Sequence, residues 1–284
     1  MILFYSHTPI AASTYYRTLD LADNPEHRAK RDLHDEHHAE QIKRIWKESS
    51  GRYGVRKVWQ QLKREGYVIA RCTVARLMQK LGIQGVWRGK NKQTTRNRDD
   101  QKRADDLVKR NFNADRPDQL WVSDFTYIQT NSGWVYTAFI IDVFSRAIVG
   151  WKVSTRMNTD MVLDALEQAL HDRGMPKNVI HHSDRGVQYL SIRYTNRLEA
   201  ANLRASVGTT GDSYDNALAE TVNGLYKTEV IEYLKADWQG LADVQLATLN
   251  WVDWFNKKRV HSALGYVSPF EFEAMYYDKI NPLG

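Results

Sequence analysis

The sequence predicts an α/β protein in which a small all-α domain precedes a larger domain with a mixed five-stranded sheet and flanking helices. Apolar residues recur at the three- and four-residue spacing of helices over residues 33–85, whereas β-branched and aromatic runs begin after residue 118. The later elements are ordered as three strands, helix, strand, helix, strand and helix. That order is typical of a ribonuclease-H-like domain.

The first part of the chain is predicted to be helical. In the two short helices after residue 51, Val58 and Leu62, and then Val74 and Leu77, recur at helical spacing, and we expect Thr73 to cap the second helix. This size and rhythm are typical of a helix-turn-helix. The predicted organisation is an N-terminal helical region (residues 1–50), a helix-turn-helix-like DNA-binding domain (51–87), a basic linker (88–117), a ribonuclease-H-like catalytic domain (118–275) and a tail (276–284).

The larger domain is predicted to start with an antiparallel meander, because three β-branched and aromatic runs are separated by short turn segments. The predicted strands are residues 120–130, 134–142 and 147–154, followed by strands at 179–183 and 203–206. The predicted helices are residues 158–173, 192–201 and 215–227, and Trp251–Phe255 belongs to a further helix.

Charge is unevenly distributed along the chain. Residues 1–117 hold 25 Lys and Arg against 14 Asp and Glu, a net charge of +11, whereas residues 118–284 hold 15 against 20. Between residues 51 and 98 there are 13 basic residues and a single acidic one, Glu65. This asymmetry indicates a first part that binds a polyanion and a second part with another role. The alternative is a solvated basic surface around an ordinary helical hairpin.

Composition also excludes several classes of protein. A single cysteine, Cys72, rules out an internal disulfide and a cysteine-rich zinc site and fits a reducing cytoplasm. The first residues lack the basic segment of a signal peptide, and the longest apolar run is too short to cross a bilayer. We therefore expect a soluble cytoplasmic protein.

Three acidic residues are candidates for chemistry. Asp124 lies in the first predicted strand on the same face as Val122 and Thr126, Asp184 follows the short fourth strand, and Glu220 lies on a polar stripe of the helix after it. Taken singly, each has a simpler explanation. Asp124 would be paired with an arginine, Asp184 would be an ordinary turn residue, and the stripe of Glu220 would be a solvated helix face.

Together, the three acids predict a metal site. Two acids at the ends of neighbouring strands and one on a packed helix can converge, and their oxygens are the ligands that Mg²⁺ prefers. Two ions about 3.5–4 Å apart would activate an attacking hydroxyl and stabilise the leaving oxygen in phosphoryl transfer. We expect Mn²⁺ to substitute for Mg²⁺.

Several separated segments resemble one known family. The chain resembles the catalytic protein of bacterial insertion sequences of the IS-three family, whose core is similar to that of retroviral integrases. The 35 residues between Asp184 and Glu220, and a basic residue seven places after the glutamate, here Lys227, follow the family pattern. The matching segments are Tyr53–Trp59, Thr73–Met78, Trp121–Ile128, His182–Tyr189, Asp215–Glu220 and Asn256–Pro269.

The resemblance implies a DDE transposase in which Asp124, Asp184 and Glu220 hold Mg²⁺ and Lys227 contacts DNA near the cleavage site. It further implies the bacterial cytoplasm, with the chain on the nucleoid when bound to DNA. The partners would be the terminal inverted repeats of the element and target DNA, on which we expect a homo-oligomer. The further predicted DNA contacts are Arg52, Arg56, Lys57, Arg71, Arg76 and Lys80.

Two alternatives remain open at this point. Family members usually work as a fusion with an upstream-frame protein that carries a helix-turn-helix and a leucine zipper, and this chain contains no heptad run. Without that fusion the chain would be a DNA-binding regulatory or inhibitory protein that keeps the transposase fold. A ribonuclease-H-type nuclease is the other alternative, but it would need neither the basic helical domain nor the Asn256–Pro269 segment.

Overall fold

The computed structural model describes residues 11–24, 29–87, 108, 112–184, 188–207, 217–234 and 237–281. The chain divides into two compact units, Met1–Gly85 and Val86–Gly284. Most of the predicted linker, residues 88–107 and 109–111, lies outside the described residues. No helix among the described residues is both long enough and apolar enough to span a membrane.

The first unit is helical. Its elements are α1 (Ala12–Asp23), α2 (Lys30–Glu48), α3 (Val55–Arg64) and α4 (Arg71–Lys80). The last three pack against one another, so α2, which the sequence assigned to a separate N-terminal region, shares a core with the helix-turn-helix-like pair. That core contains Ile42, Ile45, Val58, Leu62, Val74, Leu77 and Met78.

The ends of α3 and α4 differ in how well the sequence predicted them. Gly66 has a φ of +87°, and its N–H donates to the Lys63 carbonyl at 3.1 Å, so glycine closes α3 in the left-handed conformation that other residues resist. At the start of α4, the expected cap by Thr73 is wrong. The helix already begins at Arg71, and Ala70 is the N-cap residue without a side-chain hydrogen bond.

The second unit is built on a mixed five-stranded sheet in the order β3-β2-β1-β4-β5. The first three strands are antiparallel, whereas β1, β4 and β5 are parallel. The elements are β1 (Leu120–Thr130), β2 (Gly133–Asp142), β3 (Ile148–Ser154), α5 (Thr159–Asp172), β4 (Ile180–Ser183), α6 (Ile192–Ala200), β5 (Arg204–Val207), α7 (Ala217–Tyr226), α8 (Leu241–Lys257) and α9 (Pro269–Ile280). The predicted meander and mixed sheet are confirmed.

Strand alternation divides the core between the two faces of the sheet. Val122 and Ile128 of β1 pack with α7 and α8, whereas Trp121 of β1 packs with α5 and α6 on the other face. At Gly150 of β3 an added Cβ would lie 2.3 Å from a backbone oxygen of α5. Glycine therefore allows α5 to lie close against the sheet.

A buried polar network fastens α9 to the sheet. The backbone N–H groups of Asp118 and Ser145 each donate to the Asp142 carboxylate at 2.8 Å. The Ser145 hydroxyl donates to Glu273 of α9 at 2.6 Å. Arg173 donates to both Asp118, at 2.9 Å, and Glu273, at 2.8 Å. The network therefore joins the start of β1, the β2–β3 turn, the end of α5 and the last helix.

A wide helical segment follows α7. Residues Lys227–Glu232 continue the helix as a π-helix, and this change of helix type was not predicted from the sequence. Glu229 in this segment is buried, accepts a hydrogen bond from Trp251 Nε1 at 3.1 Å and pairs with buried Arg259. These contacts hold the segment against α8 and the residues that follow it. The predicted start of α7, at residue 215, lies outside the described residues.

Candidate active site

The first two acids each follow the last paired residue of two neighbouring parallel strands. β1 and β4 pair in the register Leu120 with Ile180 through Ser123 with Ser183, so Asp124 and Asp184 are the next residues of the two strands. Neighbouring strands run about 4.8 Å apart. The prediction that these acids share one end of a strand pair follows directly from this register.

Asp124 lies on the face of the sheet that carries α7. Its side chain accepts hydrogen bonds from the N–H of Phe125, at 2.8 Å, and from Nδ2 of Asn223, also at 2.8 Å. Within the described residues it forms no ion pair with an arginine, so that simpler explanation does not hold. The Asn223 contact connects α7 to β1 beside the acid.

The stripe that carries Glu220 on α7 is only partly solvated. Glu220 is exposed, Asn223 is buried, and Lys227, at the start of the π-helix, is half-buried. The sequence placed Asn223 on this polar stripe but gave it no role. The available signal was its position three residues after Glu220, which places the two on the same side of a helix.

Electrostatics couple the three acids. The pKa of Asp124 is raised to about 7, first because burial disfavours the carboxylate and then because Asp184 and Glu220 carry the same charge. The hydrogen bonds from Phe125 and Asn223 act in the opposite direction. The pKa of Glu220 is also raised, first because its carboxylate loses part of its hydration against the protein and then by the charge of Asp184. The three side chains therefore lie close enough to repel one another.

The donor chemistry of the three acids suits a divalent cation. All three groups offer carboxylate oxygens, and a cation would offset the repulsion that raises the pKa values. The Oδ1 atom of Asn223 is buried beside Asp124 and has no hydrogen-bond partner in the described part of the chain. As they stand, no three His, Cys, Asp or Glu side chains among the described residues are placed to hold a metal ion together. The fit therefore rests on the chemistry of the donors and their mutual repulsion.

The two histidines before Asp184 are structural. His181 is buried, and its Nε2 lies 3.0 Å from the Tyr194 hydroxyl. Burial, with His182 next to it, lowers the pKa of His181 to about 3, so the ring is neutral at physiological pH. His182 Nδ1 lies 2.9 Å from the Ser206 hydroxyl of β5. The His181 ring therefore joins β4 to α6, and the His182 ring joins β4 to β5.

The predicted DNA contacts in the first unit differ in their availability. Arg56, Arg71 and Lys80 are exposed, whereas Arg52 and Lys57 are half-buried. Arg76 is exposed but pairs with Asp35 of α2 at 2.8 Å. Its role within the unit is therefore partly to hold α2 against α4. All six remain predictions as DNA contacts.

A ribonuclease-H-like sheet with three coupled acids, preceded by a helical unit, defines the class of integrase-core proteins. Three family models match the chain: an HTH-like domain over residues 33–91, and integrase core domains over residues 114–213 and 201–269. Over most of its length the chain is similar to transposases of bacterial insertion sequences.

The chain is 53% identical over 275 residues to the transposase for insertion sequence element IS629 of Shigella sonnei, covering 97% of this chain and 92% of the relative. It is 49% identical over 274 residues to the putative transposase for IS986/IS6110 of Mycobacterium tuberculosis (95% and 96%). It is 34% identical over 227 residues to transposase InsF for IS3A of Escherichia coli (79% and 78%). The chain belongs to the IS3-like family of insertion-sequence transposases, which are enzymes of the polynucleotidyl transferase type.

Among solved structures, the chain is similar to the HTLV-2 integrase catalytic core domain in complex with magnesium. The TM-score is 0.46 and the sequence identity 18%, over 57% of this chain and 99% of that one.

Proposed function

We propose that this transposase is a DDE enzyme in which Asp124, Asp184 and Glu220 bind Mg²⁺ and catalyse DNA cleavage and strand transfer. The observation that supports this most directly is the strand register, in which Asp124 and Asp184 each come directly after the last paired residues, Ser123 and Ser183. Glu220 joins them electrostatically from α7. We propose two ions and expect Mn²⁺ to substitute.

The chemistry has two steps. In the first, a water oxygen attacks a phosphorus at the element end, the bond to the 3′ oxygen breaks, and that oxygen leaves as a hydroxyl. In the second, this 3′-hydroxyl attacks a phosphorus of the target DNA and displaces another 3′ oxygen. When bound, divalent cations would activate the attacking oxygen and stabilise the leaving one. No covalent intermediate with the enzyme is required.

The chain's own residues contribute position and charge. Asn223 fixes one oxygen of Asp124 by donating to it, which leaves the other oxygen to the Phe125 N–H and to an incoming ligand. Lys227 lies half-buried seven residues after Glu220, and we propose that it binds a phosphate next to the scissile one. The first unit supplies the sequence-independent affinity for DNA through its basic residues.

We propose further that the chain acts on DNA in the bacterial cytoplasm as a homo-oligomer, with the element's terminal inverted repeats and target DNA as its partners. The upstream-frame protein with a helix-turn-helix and leucine zipper is the proposed fusion partner.

The test is strand joining by the purified full chain on a branched DNA that mimics the joined product, with Mg²⁺ or Mn²⁺. Asp184→Asn, Asp124→Asn and Glu220→Gln are each expected to abolish the reaction while folding and DNA binding persist. Asp172→Asn, the same change at an exposed position at the end of α5, is the matched control and should retain activity.

A site variant that joins DNA at the wild-type rate refutes the assignment of that residue. Tight DNA binding by the wild-type chain without joining, in either metal, refutes independent catalysis. That result would favour the regulatory alternative, which a fusion to the upstream partner would then examine.

A further inference from the structure

Two exposed aromatic rings and a lysine lie together beside the proposed site. The Nζ of Lys227 lies 4.7 Å from the centroid of the Tyr127 ring. The Trp134 ring meets the Tyr127 ring edge to face, with centroids 5.4 Å apart. Tyr127 is 41% exposed and Trp134 49% exposed. We call these three residues the aromatic–lysine surface.

The surface is mounted on a rigid hairpin. Tyr127 is on β1 and Trp134 on β2, and the tip between these strands is tied to the segment before α8. The N–H of Asn131 donates to the Trp238 carbonyl at 2.8 Å, and that of Ser132 to the Gln239 carbonyl at 3.1 Å. Exposed rings on a fixed backbone lose little conformational freedom when a ligand binds.

The surface lies farther along β1 than the candidate acids and on the opposite face of the sheet. Tyr127 follows Asp124 by three residues, about 10 Å along the strand, and because side chains alternate between faces it points away from the face that carries α7. Within the described residues, β4 pairs with β1 only as far as Ser123. From Asp124 onward, no described residue pairs with this side of β1. Lys227 follows the helix that carries Glu220, on the face of Asp124, and contacts the Tyr127 ring, so its side chain crosses from one face to the other at this side of β1.

The chemistry of the surface matches nucleic acid. Every nucleobase has a face that stacks on an aromatic ring, and an ammonium group next to that ring attracts the phosphate that follows. Lys227 has no carboxylate partner in the described part of the chain, and its one described contact is the Tyr127 ring. A cation that is half-buried and held over a ring is thus available to an anion.

We propose that Tyr127 and Trp134, together with Lys227, form a stacking platform for one unpaired nucleobase of the DNA strand that enters the acid site. The separation of about 10 Å along β1 corresponds to at least about three nucleotides at the per-strand spacing of DNA, because the two side chains point to opposite faces of the sheet. The platform holds a base that has left the duplex, so it favours DNA ends and branches over intact duplex. This inference rests on the proposed function for the identity of the strand.

The test asks whether removing one aromatic ring and removing one nucleobase weaken DNA binding through the same contact. Binding of the full chain to the branched DNA is measured with each nucleotide around the scissile phosphate replaced in turn by an abasic residue. On intact DNA, Tyr127→Ala and Trp134→Ala are each expected to weaken binding by about 5- to 140-fold, the range for loss of one stacked base. Tyr127→Phe keeps the ring and should bind like the wild type.

When the stacked base is the one removed, the affinity of the wild type for DNA is expected to fall by the same factor. The affinity of Tyr127→Ala for that abasic DNA should equal its affinity for intact DNA. Tyr277→Ala is the matched control, because Tyr277 of α9 is 45% exposed and lies near Asp118, before the other end of β1. It should bind like the wild type on every DNA. If Tyr127→Ala binds more weakly than the wild type by the same factor at every abasic position, the platform is overturned.

The same preparations separate the two proposals. Metal-dependent joining by the wild type without any ring-to-base coupling refutes the platform and leaves the catalytic assignment in place. Coupling at one position without joining refutes the catalytic proposal and leaves nucleobase binding in place.

Discussion

Replacing Arg259 by methionine should destabilise the second unit strongly, because Glu229 would then be left charged in the core. Both side chains are buried. Arg259 Nε lies 3.0 Å from Oε2 of Glu229 and 3.2 Å from Oε1, and the guanidinium lies 5.4 Å from the Phe255 ring. Methionine fills much of the same volume but offers no hydrogen-bond donor.

The expected loss is about 3–5 kcal/mol, the usual cost of removing one partner of a buried ion pair. For a unit of this size, about 2–4 °C of melting temperature corresponds to 1 kcal/mol, so the midpoint should fall by roughly 6–20 °C. Glu229→Gln in the same chain keeps an acceptor for Trp251 Nε1. The double variant is therefore expected to be more stable than Arg259→Met alone.

The measurement is a double-mutant cycle. The free energy of unfolding is determined by urea and by heat for the wild type, both single variants and the double variant. Arg193→Met is the control, because Arg193 pairs with Asp160 at 2.7 Å on the exposed surface, where a pair contributes about 0–1 kcal/mol. If Arg259→Met costs no more than Arg193→Met, or if the two core substitutions simply add, the reasoning fails. Since Glu229 is two residues from Lys227, the variant should also weaken DNA joining.

Three further predictions address the core and the helical unit. Gly150→Ala should cost about 1–3 kcal/mol in unfolding experiments, because the added Cβ meets a backbone oxygen of α5, whereas Gly240→Ala, facing only a serine side chain, should cost less. The pKa of Asp142 is raised to about 6 by burial, so its folded form holds a proton that the unfolded chain releases at lower pH. Wild type should therefore gain about 1 kcal/mol over Asp142→Asn between pH 7 and pH 5, and an unchanged difference would contradict this. Replacing exposed Arg71 and Lys80 by glutamine should each lower the salt slope of DNA binding by about 1, and an unchanged slope would exclude phosphate contacts there.

The strands could be predicted because burial on two faces imposes alternation on the sequence. Residues 120–130 were predicted as a strand, and β1 spans Leu120–Thr130. Helix ends were harder where the cap has no side-chain signal. Thr73 looked like a cap, yet Ala70 precedes α4.

Long-range contacts explain what the sequence did not predict. The π-helical segment after α7 is held by Glu229 through Arg259, 30 residues away, and no local pattern encodes that pair. Likewise, α9 continues to Ile280, although residues 276–284 were assigned to a tail, because its anchoring residue Glu273 has its partners in earlier elements.

In the candidate site, too, local sequence predicted some features, whereas others depend on long-range packing. Asp124 could be selected because an acid in an apolar strand requires an explanation. Its hydrogen bond from Asn223 joins residues 99 positions apart and follows only from the packing of α7 on β1. The pairing of Arg76 with Asp35 also crosses between helices, so a count of basic residues overstated how many are available to DNA.

Because the network around Asp142 includes a residue of α9, the second unit cannot complete its core before α9 is in place. Its other members come from residues 118–173, but Glu273 completes it from α9. During synthesis Arg173 emerges from the ribosome 100 residues before Glu273, and domains fold as their chain appears. Until Glu273 arrives, Arg173 lacks one of its two carboxylates and the Ser145 hydroxyl lacks its acceptor in α9. A shortened copy of the gene that ends before α9 would therefore produce a protein whose three acids are all encoded but whose core stays open. Loss of residues 269–284, which include none of the three acids, should thus inactivate the transposase.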